Sequence, residues 1–178
     1  MRKQLAIHHV PAKDNQTTQI RIELTMREGA QPQVQEIPFA FSLTQPERVQ
    51  IQWYLEQYLI FPWGEFRTRA QGVEELMERK GVELFQAIFR DPGASALYAR
   101  VADDLANTRI VIHADDPEGI SLPWELMRDP VRHPYGDLAG QAYAFVRSQP
   151  EAKSWPMPSP LHEANCGTIP NATPPSAL

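Results

Sequence analysis

The sequence predicts an α/β protein: an N-terminal antiparallel hairpin, a helical middle, the first strands of a further, incomplete sheet, and a proline-rich tail. Three observations predict it. Apolar residues alternate with polar ones in the first 45 residues, the period then lengthens to that of a helix, and a run apolar on both faces follows.

Thr18 to Met26 places Ile20, Ile22, Leu24 and Met26 on one face and Gln19, Arg21 and Glu23 on the other. Gln35 to Leu43 alternates likewise through Ile37, Phe39, Phe41 and Leu43. Period-2 alternation marks a sheet with one wet face. Gly29 and Pro32 between the two runs predict a hairpin, and Leu5 to Val10 is a candidate third strand.

From Pro46, a residue favoured in the first helical turn, the apolar positions Ile51, Tyr54, Leu55 and Tyr58 fall at helical spacing. Pro62 and Gly64 break this helix. A longer one is predicted from Arg69 to Phe89, with Val73, Leu76, Met77, Leu84, Phe85 and Ile88 on one stripe. Glu75 and Arg79 stand four apart in the favourable order, worth about 0.3 kcal/mol. Gly81 lies on the apolar stripe, where a bare backbone admits a close neighbour. Asp91-Pro92-Gly93 ends this helix, and a third is predicted from Ala94 to Leu105. Arg109 to His113 reads as a strand covered on both sides. Asp116 to Gly119 fits a type I turn, and Gln141 to Arg147 reads as another strand.

Residues 1–45 thus form a hairpin region, 46–148 a helical segment with sheet strands, and 149–178 a tail. The tail holds seven prolines and keeps neither period, so it is expected to be disordered. A net charge of −5 and no basic run speak against nucleic acid or an anionic membrane as partner. No apolar stretch is long enough to span a bilayer, and no signal peptide is expected. The single cysteine cannot form an internal disulfide. A cytoplasmic protein without cofactor is the expectation.

The candidate chemistry is sparse. His8 and His9 are neighbours on a strand, so they point to opposite faces. His113 beside Asp115, Asp116 and Glu118 offers metal-ligating groups, but the spacing is that of a strand end followed by a polar turn. His133 reads as a solvated loop residue. Cys166 with His162 is the one thiol and imidazole pair close in sequence, yet it sits in the tail, where nothing fixes a base against a thiol. No phosphate loop, nucleophile elbow or zinc spacing is present. In "SLPWELMRDP", Pro123 suits the start of a short helix, with Glu125 in its first turn and Trp124 sharing a face with Met127. Trp124 is expected to be a packing residue.

Residues 108–148, "TRIVIHADDPEGISLPWELMRDPVRHPYGDLAGQAYAFVRS", resemble the opening of the CHAT family, caspase-like cysteine peptidase domains often linked to tetratricopeptide repeats. Leu122, Pro123, Trp124, Glu125 and Leu126 match the family's Leu-Pro-Trp-Glu-Leu core. Phe145, Val146 and Arg147 match the end of the strand that follows. The helices from residue 46 also look like the region preceding that domain. The resemblance implies a caspase-like sheet with helices on both sides, of which this chain holds the first strands. It implies catalytic His and Cys residues further on, in a His-Gly turn and an Asn-Ala-Cys-like segment. This chain has no His-Gly pair, and "EANCGT" reverses the order before the cysteine. No catalytic residue is therefore carried over, and no metal site is expected. The chain is expected to be the N-terminal, non-catalytic portion of such a peptidase, inactive alone. The alternative is a stand-alone regulatory domain that binds an unidentified protein partner.

Cutting the chain after Ser148 is expected to leave the melting temperature within a few degrees, because the tail has little apolar surface to bury. Loss of cooperative unfolding in a calorimetric scan would show that the tail completes the core.

Overall fold

The structure, a computed structural model, describes residues 3–12, 17–60, 62, 64 and 66–148. The expectation for 149–178, with Cys166 and His162, lies outside the described residues.

The fold is mixed α/β. Five strands form one open sheet in the order β3-β2-β1-β4-β5. They are β1 Lys3–Val10, β2 Gln19–Thr25, β3 Gln33–Pro38, β4 Thr108–Ala114 and β5 Ala144–Ser148. The first three pair antiparallel; β4 pairs parallel with β1 on one side and with β5 on the other. The hairpin region and the later strands therefore share one sheet, and β1 is its central strand.

β3 ends at Pro38, short of the Leu43 that the alternation suggested. Phe39 N–H still donates to the Thr18 carbonyl at 2.8 Å, and the chain then leaves the sheet. The cause is burial. Phe39 and Leu43 insert among helix residues, so their alternation serves the core rather than a ladder.

Helix α1 spans Gln45–Trp53 and runs on as a π-helical turn, Tyr54–Tyr58. Glu47 accepts from the Thr44 backbone N–H at 2.8 Å, fixing its start. Helix α2 spans Arg67–Phe89, two residues earlier than predicted, and buries Val73, Leu76, Gly81, Leu84, Phe85 and Ile88. Arg79 pairs with Glu83 at 3.9 Å rather than with Glu75. Helix α3 spans Pro92–Ala102. Asp91, just after the Arg90 cap of α2, caps this helix, accepting from Gly93 and Ala94 N–H. The helix stops at Ala102, short of the expected Leu105, where a 3-10 turn, Leu105–Asn107, begins.

Asp116 to Gly119 is not an isolated turn. Asp116 caps the five-residue helix α4, Pro117–Ser121. Asp-Pro followed by Gly fits a turn and a capped first helical turn alike, so local sequence did not separate the two. The predicted strand from Gln141 begins only at Ala144, because Asp137 caps one more short helix, α5 Leu138–Gln141.

The core lies on one side of the sheet. Leu5, Ile7, Ile20, Ile22, Leu24, Ile110 and Ile112 meet residues of α2 and α3 in one cluster. The other face contributes no residue to either core cluster. There, Ala6, Val111 and Val146 stand side by side in register on β1, β4 and β5.

Gly81 has the close neighbour its position predicted. Its carbonyl accepts from Arg128 N–H at 3.1 Å, and a Cβ there would stand 1.9 Å from the Leu126 carbonyl oxygen. Gly72 on the same helix has nothing within 4 Å of such a Cβ. Gly81→Ala is expected to destabilise the protein by about 1–3 kcal/mol, since the obstacle is backbone. Gly72→Ala is expected to stabilise it by about 0.5–1 kcal/mol. Urea midpoints of the two variants check both signs; equal midpoints would mean that the α2 contact is loose.

Candidate functional site

The residues that carry the family resemblance meet at the C-terminal ends of β4 and β5. Chain order brings them there. β4 ends at Ala114, α4 turns the chain back, and a 3-10 turn at Trp124–Leu126 leads into the segment before α5. The short helix predicted at Pro123 is thus this single 3-10 turn.

Trp124 is fully buried and Leu122 and Met127 nearly or wholly so. A buried indole needs a partner for its N–H. The Gly119 carbonyl provides it at 2.8 Å. The ring stacks on Phe39 at 6.2 Å between centroids and meets His9 edge-on at 6.3 Å. Leu126 packs on the smaller cluster of Leu43, Ile51 and Leu76. Pro123 is half-buried ahead of the turn.

Glu125 and Arg147 form the polar half of the arrangement. Arg147 Nε donates to Glu125 Oε1 at 2.5 Å, and its Nη2 donates to Oε2. This is the two-point geometry a guanidinium offers a carboxylate. The same guanidinium donates to the Ile120 and Leu122 carbonyls, each at 2.9 Å. Arg147 thus ties β5 to both ends of the segment that carries Trp124. Val146 points to the opposite face of the sheet, beside Val111.

Sequence reasoning missed a buried pair behind Trp124. The His9 side chain is fully buried, and its Nδ1 lies 2.6 Å from Asp116 Oδ1. Burial pushes the Asp116 carboxyl up, but hydrogen bonds from Gly119 N–H and His9 outweigh it and hold the carboxyl below its ordinary value. A Cβ at Gly119 would stand 2.6 Å from His9 Nδ1, so only glycine fits there. The available signal was the apolar setting of His9 on a core-facing strand position; its partner lies 107 residues away.

Other candidates resolve differently. His8 and His9 do point to opposite faces. His113 stacks on His8, and among the described residues no group of three or more His, Cys, Asp or Glu side chains could hold a metal ion. His133 is not simply solvated: its Nε2 lies 2.8 Å from the Ala102 carbonyl, fastening the loop that contains it. No serine or threonine hydroxyl among the described residues is hydrogen-bonded to a histidine. A cavity of about 90 Å³ is lined by Ile112, Ala114, Ile120, Trp124, Arg147 and Ser148. It has room for little more than an aliphatic side chain.

No helix is long and apolar enough to cross a membrane among the described residues. No protein-family model matches the chain, and neither does any curated protein or solved structure compared with it.

Trp124→Ala removes the largest fully buried side chain and leaves the Gly119 carbonyl with only the longer bond from Leu122 N–H, at 3.3 Å. A loss of about 3–5 kcal/mol is expected, a large share of a typical domain's stability of about 5–15 kcal/mol. Urea denaturation followed by far-UV circular dichroism measures it. An unchanged midpoint would remove Trp124 from the core and reopen the motif as a binding surface.

Proposed function

We propose that this chain is the N-terminal, non-catalytic portion of a CHAT-type caspase-like cysteine peptidase, lacking the His/Cys dyad and inactive alone. One observation carries the reading. Glu125 and Arg147, 22 residues apart in the chain and in separate parts of the resemblance, form one hydrogen-bonded unit. The residue types at those two places then have a common purpose: the carboxylate and the guanidinium hold the tryptophan segment onto the strand end.

The one-sided core agrees with this reading. An αβα sandwich needs helices over both sheet faces. Here the face with Ala6, Val111 and Val146 has no part in the core clusters; neighbours already bury Ala6 and Val111, and the rest of a sandwich would cover the half-buried Val146. Peptide cleavage through a thiolate needs a base at hydrogen-bond distance and a group that orients that base. The one buried, oriented imidazole among the described residues, His9, faces a carboxylate and two aromatic rings. It serves packing, not attack.

A second reading, a regulatory domain that binds a protein partner, has one observation in its favour. Asp129 accepts from Val131 and Arg132 N–H, and Arg132 pairs with Asp103 at 2.9 Å. The loop so fastened holds Val131 and Tyr135 84% and 99% exposed. An exposed tyrosine is a residue type that protein interfaces recruit as an anchor.

The purified chain is expected to cleave neither casein nor a fluorogenic peptide library above the rate of Cys166→Ala. Turnover by the wild type that a thiol-directed covalent inhibitor stops, and that Cys166→Ala lacks, would overturn the proposal.

A further inference from the structure

The sheet has a seam. Three antiparallel strands, β1 to β3, come from the first 38 residues, and the parallel pair β4 and β5 comes from the last part of the described chain. One strand junction, β1 with β4, joins them within the sheet. His8 and His113 stand directly opposite each other across that junction. Their rings stack at 4.3 Å between centroids, 9° from parallel.

The pair lies on the face outside the core clusters, half-buried on both strands. His8 Nε2 is buried without a hydrogen-bond partner, and the nearest carboxylate oxygen, on Glu23, is 3.7 Å away. Parallel rings carry their nitrogen lone pairs side by side in two planes, so the two cannot converge on one metal ion. What stacking of this kind does impose is a charge limit. Two neutral imidazoles, or one neutral and one charged, can lie face to face. Two imidazolium rings at this separation repel in a site partly shielded from water.

We infer that the stacked His8–His113 pair is an acid-sensitive latch across the seam between β1 and β4. Above the ordinary histidine range His8 is neutral and the seam is closed. Protonation of both rings is relieved by separating the two strands.

The neighbouring charges do not cancel this. Arg21 stands opposite His8 on β2 and adds to the repulsion; Glu23 on β2 and Asp115 after β4 oppose it. Glu23 is shared with Arg21, at 2.8 Å, and Glu36 on β3 lies beyond Arg21 at 4.0 Å. Ser148 faces His113 from β5 and carries no charge. The balance at His8 favours the neutral ring: burial, the largest cause, and His113 both push it below the usual value. The sign follows. A histidine depressed in the folded state binds fewer protons than the unfolded chain between the two values. Stability is therefore full above about pH 6.5 and falls as the pH drops through that value toward the depressed one.

Two measurements on the full chain test the latch. Proton NMR titration of the His8 ring Cε1–H signal is expected to show His8 moving upward in His113→Phe, since His113 is one of the groups that depress it. The urea midpoint of the wild type is expected to fall by about 0.5 M or more between pH 7.5 and 5.0, and the fall is expected to shrink in both His113→Phe and His8→Phe. Phenylalanine keeps a flat ring in the stack, so a folding defect at pH 7.5 is not the readout. An unchanged His8 titration in His113→Phe, or equal falls in wild type and variants, would overturn the proposal.

Discussion

Gly119 is the residue on which the strand-end architecture turns. Its carbonyl satisfies the buried indole of Trp124, its N–H bonds the Asp116 carboxylate, and its missing Cβ leaves room for His9. Each demand comes from a different part of the chain, and no other residue type meets all three. Burying a tryptophan with an unpaired N–H, or an aspartate with unpaired oxygens, costs on the order of 1–3 kcal/mol per group. The Gly119 backbone removes the first cost and shares the second with His9, which pairs the other Asp116 oxygen. The carbonyls of Ile120 and Leu122 just beyond it go to Arg147, so the backbone that presents Gly119 is itself held by β5.

The helix start at Asp116 shows how little polar material this needs. The carboxylate caps α4 through Gly119 N–H and anchors it to β1 through His9. A helix of five residues is far below the length that persists alone in water. Its place is fixed by these side-chain bonds and by the indole below it. The same economy recurs at Asp91, where one carboxylate oxygen accepts from two N–H groups at the start of α3.

Much of this was legible in the sequence where the signal is local. Alternation located β2 and β3, the 3.6 period located α2 with its buried stripe, and a glycine on that stripe predicted the close approach now seen between Gly81 and Leu126. Trp124 was legible as a packing residue because a doubly apolar strand must be covered. What was not legible depends on partners far along the chain. Nothing near Leu5 to Val10 says that β1 is the centre of the sheet, because its neighbour β4 lies about a hundred residues later. His9 looks like one of two adjacent histidines until Asp116 is brought beside it. Phe39 and Phe41 continue the alternation of β3 although the chain has left the sheet, since a side chain bound for the core follows the same pattern in a strand or in a loop. The site residues Glu125 and Arg147 were marked by resemblance alone; their pairing has no signature at a spacing of 22.

The late arrival of β4 also bears on how the chain folds. β1 to β3 are complete within the first 38 residues, and their antiparallel pairing needs only short loops to close. Before β4 is made, β1 is an open edge strand carrying Leu5 and Ile7, both fully buried in the finished protein. On the ribosome that edge stays unpaired while about seventy further residues are synthesised, several seconds at roughly 5–20 residues per second. Parallel pairing across so long a loop is entropically slow to form. The nascent hairpin unit is therefore the stage most open to mispairing with another chain, and the rate at which β4 docks sets how long that exposure lasts.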